Sequence, residues 1–266
     1  LIGTVAGSLG LEPRQWMEFL ASFGGVLLTF LAGTEIDTRL MRARFKESFA
    51  IGSLSFLLPF AGVALYAHFL AGWPLQSALI AGTALSTTSL AVVYSVLVET
   101  GLSKTDLGKL ILAATFITDM GTALALSVLF LQPTAYTALF VVVSIGVIVL
   151  AARFSHIVFD HPGLKNKVIE PEIKYVFLLL FAFMYFATLG KGHAVLPAFL
   201  LGLLMSSHFA ESAETKVVRN RLRTVAYAVI TPMFFLVGGM KVSVALIASA
   251  WTLFVVFFAL KMVTKF

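Results

Sequence analysis

Long apolar segments separated by short polar loops constrain the fold of this chain more than any other feature. Hydropathy distinguishes nine of them, with the bounds 16–36, 48–71, 76–98, 108–131, 134–152, 174–190, 193–208, 225–241 and 244–266. A helix of about 20 apolar residues crosses the hydrocarbon core of a bilayer. The mean hydropathy is +0.99 and only 12% of the residues are charged, which excludes a soluble domain. We therefore predict an all-α, polytopic membrane protein.

The basic residues divide the loops into two sets. The loops after the first, third, fifth and seventh segments hold 14 lysines and arginines, whereas the alternate loops hold three, Arg14, Lys191 and Lys241. The positive-inside rule then places the first set in the cytoplasm. The same rule explains the net charge of +6 without a nucleic-acid partner. The chain has no cysteine, which excludes disulfides and thiolate metal sites.

One acidic residue lies deep within apolar sequence. Asp119 is the only charge between Lys109 and Arg153, and in a helix over 108–131 it lies about 18 Å from the helix start, near the membrane midplane. A carboxylate at that depth costs at least about 2.5 kcal/mol, which indicates a proton or cation site. A protonated Asp119 bonded to a neighbouring helix is the structural alternative. Thr115 and Thr122 share its helix face and could donate hydrogen bonds to the carboxylate or provide oxygen ligands to a cation.

Four consecutive hydroxyl residues, Ser86 to Ser89, lie at mid-depth in the third segment. Such side chains compete for backbone hydrogen bonds and weaken a helix locally. Non-helical backbone at membrane depth occurs where it is buried in protein or lines a cavity, and secondary transporters present such broken helices to ions. We predict a broken helix over 76–98. An intact helix, in which the hydroxyls bond carbonyl groups four residues earlier, is the alternative.

A lysine lies within the last apolar segment. If that helix begins near Trp251 and continues past residue 266, Lys261 lies near mid-depth, where Asp119 is the only acid available as an ion-pair partner. If the span instead ends near residue 262, Lys261 reaches the cytoplasm together with Lys265.

Small residues recur every four positions in the seventh segment, at Ala198, Gly202 and Ser206. Such a stripe allows a second helix to approach closely. It indicates helix packing or dimerisation, without a chemical role.

Four parts of the sequence together resemble the cation/proton antiporter superfamily, on the monovalent cation:proton antiporter-2 branch of bacterial Na+/H+ antiporters and glutathione-gated K+ efflux systems. They are Phe30–Glu35, Ala84–Ser89 with Glu99–Gly101, Phe116–Asp119, and Ala198–Leu203 followed by Met233–Phe235 and Gly238. Their order and spacing match the family over essentially the whole chain.

The resemblance implies an inverted-repeat fold with a core domain and a dimerisation domain, in a homodimer in the bacterial plasma membrane. Residues 1–37 and 174–241 would belong to the dimer domain, 48–131 to the first half of the core, 134–152 to a linker helix and 244–266 to the start of the second half. The chain is expected to be truncated at both ends. Many relatives also carry a cytoplasmic nucleotide-binding regulatory domain, which would lie outside this chain.

The function that we expect is exchange of a monovalent cation, Na+ or K+, for H+ by alternating access. Cation and proton would compete at Asp119, and Ser86, Thr87, Thr88 and Thr118 would supply further oxygen atoms. Neither a cofactor nor an enzymatic activity is expected. Thr118 stands where the family usually has Asp, Asn or Gln, and a single acid in this family goes with electroneutral exchange. Lys261 matches a family position where a base can pair with the acid, which leaves the stoichiometry open.

Two other functions are compatible with the same residues. The first is a gated, channel-like K+ efflux protein on the same fold, which would lack obligatory proton coupling. The second is a membrane sensor that transports nothing. A membrane enzyme is disfavoured because the spans contain no spaced pair of acids at mid-membrane depth and no histidine cluster.

Overall fold

The computed structural model describes residues 1–34, 44–88, 93, 96–97, 99–102, 105–129, 135–160, 170–190, 192–211 and 213–265. Over these ranges the regular structure is helical and contains no strand, which confirms the all-α prediction. The helices are α1 Ile2–Ser8, α2 Gln15–Thr34, α3 Phe45–Leu65 with a π-helical turn Tyr66–Leu70, α4 Leu75–Ser86, α5 Asp106–Leu129, α6 Ala135–Asp160, α7 Pro171–Leu189, α8 Val195–Glu211, α9 Ala213–Val225 with a π-helical turn Ala226–Ile230, α10 Thr231–Met240, α11 Val244–Ser249 and α12 Trp251–Lys265.

Six stretches of the described helices are long and apolar enough to cross a membrane, judged by length and composition. They are Gln15–Thr34, Phe45–Leu70, Asp106–Leu129, Ala138–Ser155, Pro171–Leu189 and Val217–Met240. The remaining three predicted segments correspond to shorter helices. In the third, α4 ends at Ser86, and residues 93 and 96–97 are helical again. The seventh forms the 17-residue α8, and the ninth is divided between α11 and α12. Hydropathy averaged along the chain does not register where a helix is interrupted.

The chain divides into two compact units. The first comprises Leu1–Ile36 and Leu131–Leu246, and the second comprises Asp37–Phe130 and Ile247–Phe266. The second unit therefore contains the residues that the resemblance assigns to a core domain, except for residue 131 and the first three residues of 244–266. The first unit contains those assigned to the linker and, except for residue 37, those assigned to the dimer domain. The functional roles of these domains stay predictions.

In the first unit, α2 packs against α7, α8 and α10. The core between these helices is aromatic and aliphatic, and Phe30, Leu180, Phe183 and Leu201 are fully buried in it. The side chains of a helix that faces both protein and lipid are apolar on all sides, so the core is distinguished from the lipid-facing surface by close packing.

The closest approach in this unit joins α2 to α8 at two glycines. A Cβ atom on Gly202 would lie 2.1 Å from the backbone oxygen of Phe30, and one on Gly33 would lie 2.4 Å from that of Phe199. Ala198 and Ser206 of the predicted stripe are buried as well. The stripe therefore serves helix packing within one chain, and dimerisation is not needed to explain it.

The second unit is organised around α3, which packs against α4, α5 and α12. Gly52 of α3 lets α5 come so close that a Cβ atom there would lie 2.6 Å from the backbone oxygen of Ala114. Gly82 of α4 has the same role toward α3, because its Cβ would lie 2.6 Å from the oxygen of Phe60. These contacts hold α4 and α5, which carry the predicted site residues, on one scaffold helix.

Candidate ion-binding site

Helix α4 ends inside the predicted third span. Its last helical residue is Ser86, and Thr87 follows with extended backbone dihedral angles, φ −65° and ψ 152°. Within the helix, Thr83 Oγ1 donates to Leu79 O at 2.8 Å and Ser86 Oγ donates to Thr83 O at 2.9 Å. A helix end leaves backbone carbonyl groups without intrahelical donors, and such groups need partners when they are away from water. Ser89, the last hydroxyl residue of the run, lies outside the described residues.

The ammonium group of Lys265 supplies those partners. Its Nζ donates to Ser86 O at 2.8 Å, to Thr87 O at 3.4 Å and to Thr88 Oγ1 at 2.6 Å. We call these three acceptors the three-oxygen pocket. A lysine ammonium has three N–H groups, so each can have an acceptor here. A positive charge is also stabilised at the C-terminal end of a helix, where the helix dipole is negative.

Sequence reasoning singled out Lys261 and missed Lys265. Lys261 lies one turn earlier on α12 and is partly exposed, and no ion pair joins it to Asp119 in the described part of the chain. Its pairing with the acid therefore stays a prediction. In the structure the ammonium of Lys265 binds the end of α4, and the alternative in which both lysines reach the cytoplasm stays a prediction. The sequence did carry a signal for Lys265. It follows Lys261 by four residues, so the two side chains share a helix face and Lys265 lies about 6 Å farther along the helix.

Asp119 lies near the middle of α5 and is half-buried. The adjacent Thr118 is only 1% exposed and donates to Thr115 O at 2.6 Å. Thr115 and Thr122 donate to the backbone oxygens of Ile111 and Thr118, at 2.8 and 3.0 Å. The protons of both hydroxyls are therefore used within α5, and not on the carboxylate, since the carbonyl four residues earlier is always within reach of a helical threonine. Their oxygens remain available as acceptors.

The site combines one acid, one base and a set of neutral oxygens. Asp119 and Lys265 interact electrostatically, and α4, α5 and α12 all belong to the second unit. Among the described residues, no group of three or more His, Cys, Asp or Glu side chains could hold a metal ion. One carboxylate with hydroxyl and carbonyl oxygens suits a weakly bound monovalent cation better than a divalent one, which requires more ligand charge.

The family model for the transmembrane sodium/hydrogen exchanger matches residues 1–266. The chain belongs to this exchanger family. With its six candidate spans, the exchanger chain is a multi-pass membrane protein.

Several relatives of this chain are named as antiporters. It is 30% identical over 255 residues to the probable Na(+)/H(+) antiporter 3 of Methanocaldococcus jannaschii, 27% identical over 257 residues to the Na(+)/H(+)-K(+) antiporter GerN of Bacillus cereus, and 27% identical over 278 residues to the putative Na(+)/H(+) antiporter YjbQ of Bacillus subtilis. These matches cover 93, 91 and 96% of this chain. They cover 65, 64 and 43% of the relatives, so the chain spans less than two thirds of their length.

Proposed function

We propose that this exchanger chain carries a monovalent cation, Na+ or K+, across the membrane in exchange for H+, with Asp119 as the group that both ions share. The observation that carries the proposal is the three-oxygen pocket, which holds the positively charged ammonium group of Lys265. The same ammonium group interacts electrostatically with Asp119. The antiporter names of its relatives support the same reaction.

Each residue then has a defined task. Asp119 holds either a proton or the cation, while Ser86 O, Thr87 O, Thr88 Oγ1 and an oxygen of Thr118 contribute ligands. Lys265 leaves the three-oxygen pocket as the cation enters, because two positive charges a few ångströms apart repel each other strongly in a medium of low dielectric constant. Movement of the site between the two membrane faces, with Asp119 always carrying one of the two ions, gives alternating access.

Exchange is electroneutral in this proposal. Thr118 contributes no charge beside Asp119, so one cation enters for each proton that leaves and the net charge moved is zero. We therefore expect the Na+-driven rate to be unchanged when a membrane potential is imposed with an ionophore. A rate that changes several-fold with the sign of the potential would contradict this stoichiometry and would indicate a second charge in the transport cycle, with Lys265 as its first candidate.

The pH dependence follows from competition at one carboxylate. When the pH is lowered, protons occupy Asp119 more often, so the apparent KM for the cation rises while the maximal rate changes little. The increase is up to about tenfold per pH unit, because each unit is a tenfold change in proton concentration. Initial rates measured over a cation series at several values of pH give both constants. An apparent KM that is independent of pH would contradict competition.

The proposal is tested with the purified full-length protein in proteoliposomes that contain a trapped pH-sensitive dye. External Na+ or K+ pulses should alkalinise the lumen, since each cation that enters releases one proton. The ion that gives the response identifies the substrate. Cation uptake without proton release would indicate a gated K+ channel instead, and the absence of any cation flux would indicate a sensor.

The proposal extends to the assembly. We propose a homodimer in the lipid bilayer, formed through the first unit, since the resemblance assigns those residues to a dimer domain. We also propose that a cytoplasmic nucleotide-binding domain, as found in similar transporters, regulates exchange. The mass of the purified protein by light scattering distinguishes a dimer from a monomer.

A further inference from the structure

Helix α9 carries an excess of positive charge. Its sequence includes one acidic and four basic residues, namely Glu214, Lys216, Arg219, Arg221 and Arg223. Val218 and Leu222 are buried in the core of the first unit, so one face of the helix is packed against protein. Amphipathic helices rich in lysine and arginine occur at membrane surfaces, where their basic side chains attract anionic lipids. The bases of α9 that lie off the packed face are therefore candidates for such contacts.

The depth of α9 in the bilayer follows from the helix that it continues into. Val217–Met240 is one of the stretches that are long and apolar enough to cross a membrane, and it runs from α9 through the π-helical turn into α10. Tyr227, in that turn, is 52% exposed, and tyrosine is enriched at the membrane–water interface. The guanidinium carbon of Arg223 lies 6.0 Å from the centre of the Tyr227 ring. Arg223 precedes Tyr227 by one turn, which places it among the lipid headgroups, a layer about 5–7 Å thick on each side of the hydrocarbon core.

Arg219 shares this face of α9, because it precedes Arg223 by four residues. Its side chain is partly buried, and its Nε–H group is buried without an acceptor in the part of the chain that the structure describes. A buried donor that lacks an acceptor is unfavourable. A guanidinium group offers two parallel N–H groups that match the oxygens of a phosphate. A phosphate group that Arg219 reaches by a rotation of its side chain supplies the missing acceptor.

Arg221 shows a different arrangement on the same helix. It is two residues away from both Arg219 and Arg223, so it projects from roughly the opposite side of the helix, at about 100° per residue. Its guanidinium group donates to the carboxylate of Glu170. Helix α9 thus has one arginine whose anionic partner is provided by the protein, and on the other side two arginines next to an interfacial tyrosine.

We propose that Arg219 and Arg223 bind the phosphate group of one anionic phospholipid, whose glycerol backbone lies beside Tyr227. The net negative charge of such a headgroup complements the two guanidinium groups, whereas the choline of a zwitterionic lipid offsets the attraction. The acyl chains extend from this point toward the hydrocarbon core. The site belongs to the first unit, and its occupancy does not depend on the proposed exchange reaction.

Native mass spectrometry of the purified full-length protein tests the binding. The protein is mixed in detergent with phosphatidylglycerol or with phosphatidylcholine of identical acyl chains, and the bound lipid is counted over a concentration series. Phosphatidylglycerol should bind at least about threefold more tightly than phosphatidylcholine. Arg219→Gln and Arg223→Gln should each lower the affinity for phosphatidylglycerol about fivefold, as expected for one basic residue at a membrane surface.

Arg221→Gln is the matched control, since it removes the same charge from the same helix on the side that faces Glu170. Its affinity for phosphatidylglycerol should stay within about twofold of that of the unaltered protein. Equal losses in Arg221→Gln and in the two other variants would show that the lipid responds to net charge alone, and would overturn the site.

Thermal stability of the unaltered protein decides the question if the variants do not fold. Phosphatidylglycerol should raise the Tm by about 3 °C or more relative to phosphatidylcholine, because a ligand of the folded state stabilises it. Sodium glycerophosphate at the same ionic strength should not raise the Tm. An equal Tm in the two lipids would overturn the proposal, and an equal rise with glycerophosphate would replace the lipid by a free phosphate. Variants at Arg219 and Arg223 that lower the Tm equally in both lipids would show that these arginines contact protein, which also contradicts a lipid site.

Discussion

Replacement of Asp119 by asparagine is expected to abolish cation/proton exchange, with a loss of rate of at least about a hundredfold, or about 2.7 kcal/mol. An amide neither takes up a proton at ordinary pH nor offers a negative charge to a cation, so both half-reactions lose their carrier. The side chains are nearly equal in size, and the half-buried position tolerates the amide, so the variant should fold. The measurement is the dye response in proteoliposomes to Na+ and K+ pulses.

Asp106→Asn is the matched control for this experiment. Asp106 lies in the first turn of the same helix, is 81% exposed at its side chain, and is within 4.0 Å of Arg44 and 3.9 Å of Lys109. Exposed pairs of this kind contribute little, so exchange should continue at close to the normal rate. Full exchange in Asp119→Asn would remove the acid from the proposed site. A similar loss of exchange rate in both variants would show that removing any carboxylate of this helix impairs folding or exchange, and that the effect is not specific to Asp119.

A methyl group added to Gly202 is expected to destabilise the first unit severely. In Gly202→Ala the new Cβ would lie 2.1 Å from the backbone oxygen of Phe30, far inside van der Waals contact, and a backbone atom cannot rotate away. Helices α2 and α8 must separate, which costs about 2 kcal/mol or more for overpacking of this type. We expect a fall in Tm of several degrees, measured by the fraction of protein that stays monodisperse after heating in detergent.

Gly238→Ala provides the comparison, because it adds the same methyl group to a helix of the same unit where nothing lies within 4 Å of the new Cβ. Alanine also favours a helix over glycine, so the Tm of this variant should stay unchanged or rise slightly. Equal behaviour of the two variants would show that the close approach of α2 and α8 does not limit stability.

Much of the sequence-based prediction rested on properties of short stretches of the chain, namely their charge, their hydroxyl content and their hydropathy. Asp119 could be singled out because it is the only charge in a long apolar segment, and the run from Ser86 to Ser89 because hydroxyl side chains compete for backbone hydrogen bonds. The all-α class and the membrane location follow from hydropathy alone, and both are confirmed. The sidedness of the loops and the roles of the site residues stay predictions.

The choice between two lysines on one helix required the tertiary structure. Lys261 and Lys265 have the same chemistry and lie one turn apart, so only the placement of α12 beside the end of α4 decides which ammonium reaches Ser86 and Thr88. Of the two uses that the sequence left open for Thr115 and Thr122, donation to the carboxylate is not observed, and a role as oxygen ligands stays a prediction. Their own helix satisfies them first, whatever else is nearby.

The sequence by itself determined that this chain builds membrane helices, with one acid at mid-depth and a hydroxyl run that could interrupt a span. The reason is that the cost of burial and the helix propensity of a segment depend on the residues of that segment alone. Only the tertiary structure decided that the stripe around Gly202 meets Gly33 and that Lys265 occupies the three-oxygen pocket. Such pairings depend on the rotation of each helix about its axis and on approach distances of a few ångströms, and residues far apart in the chain set both.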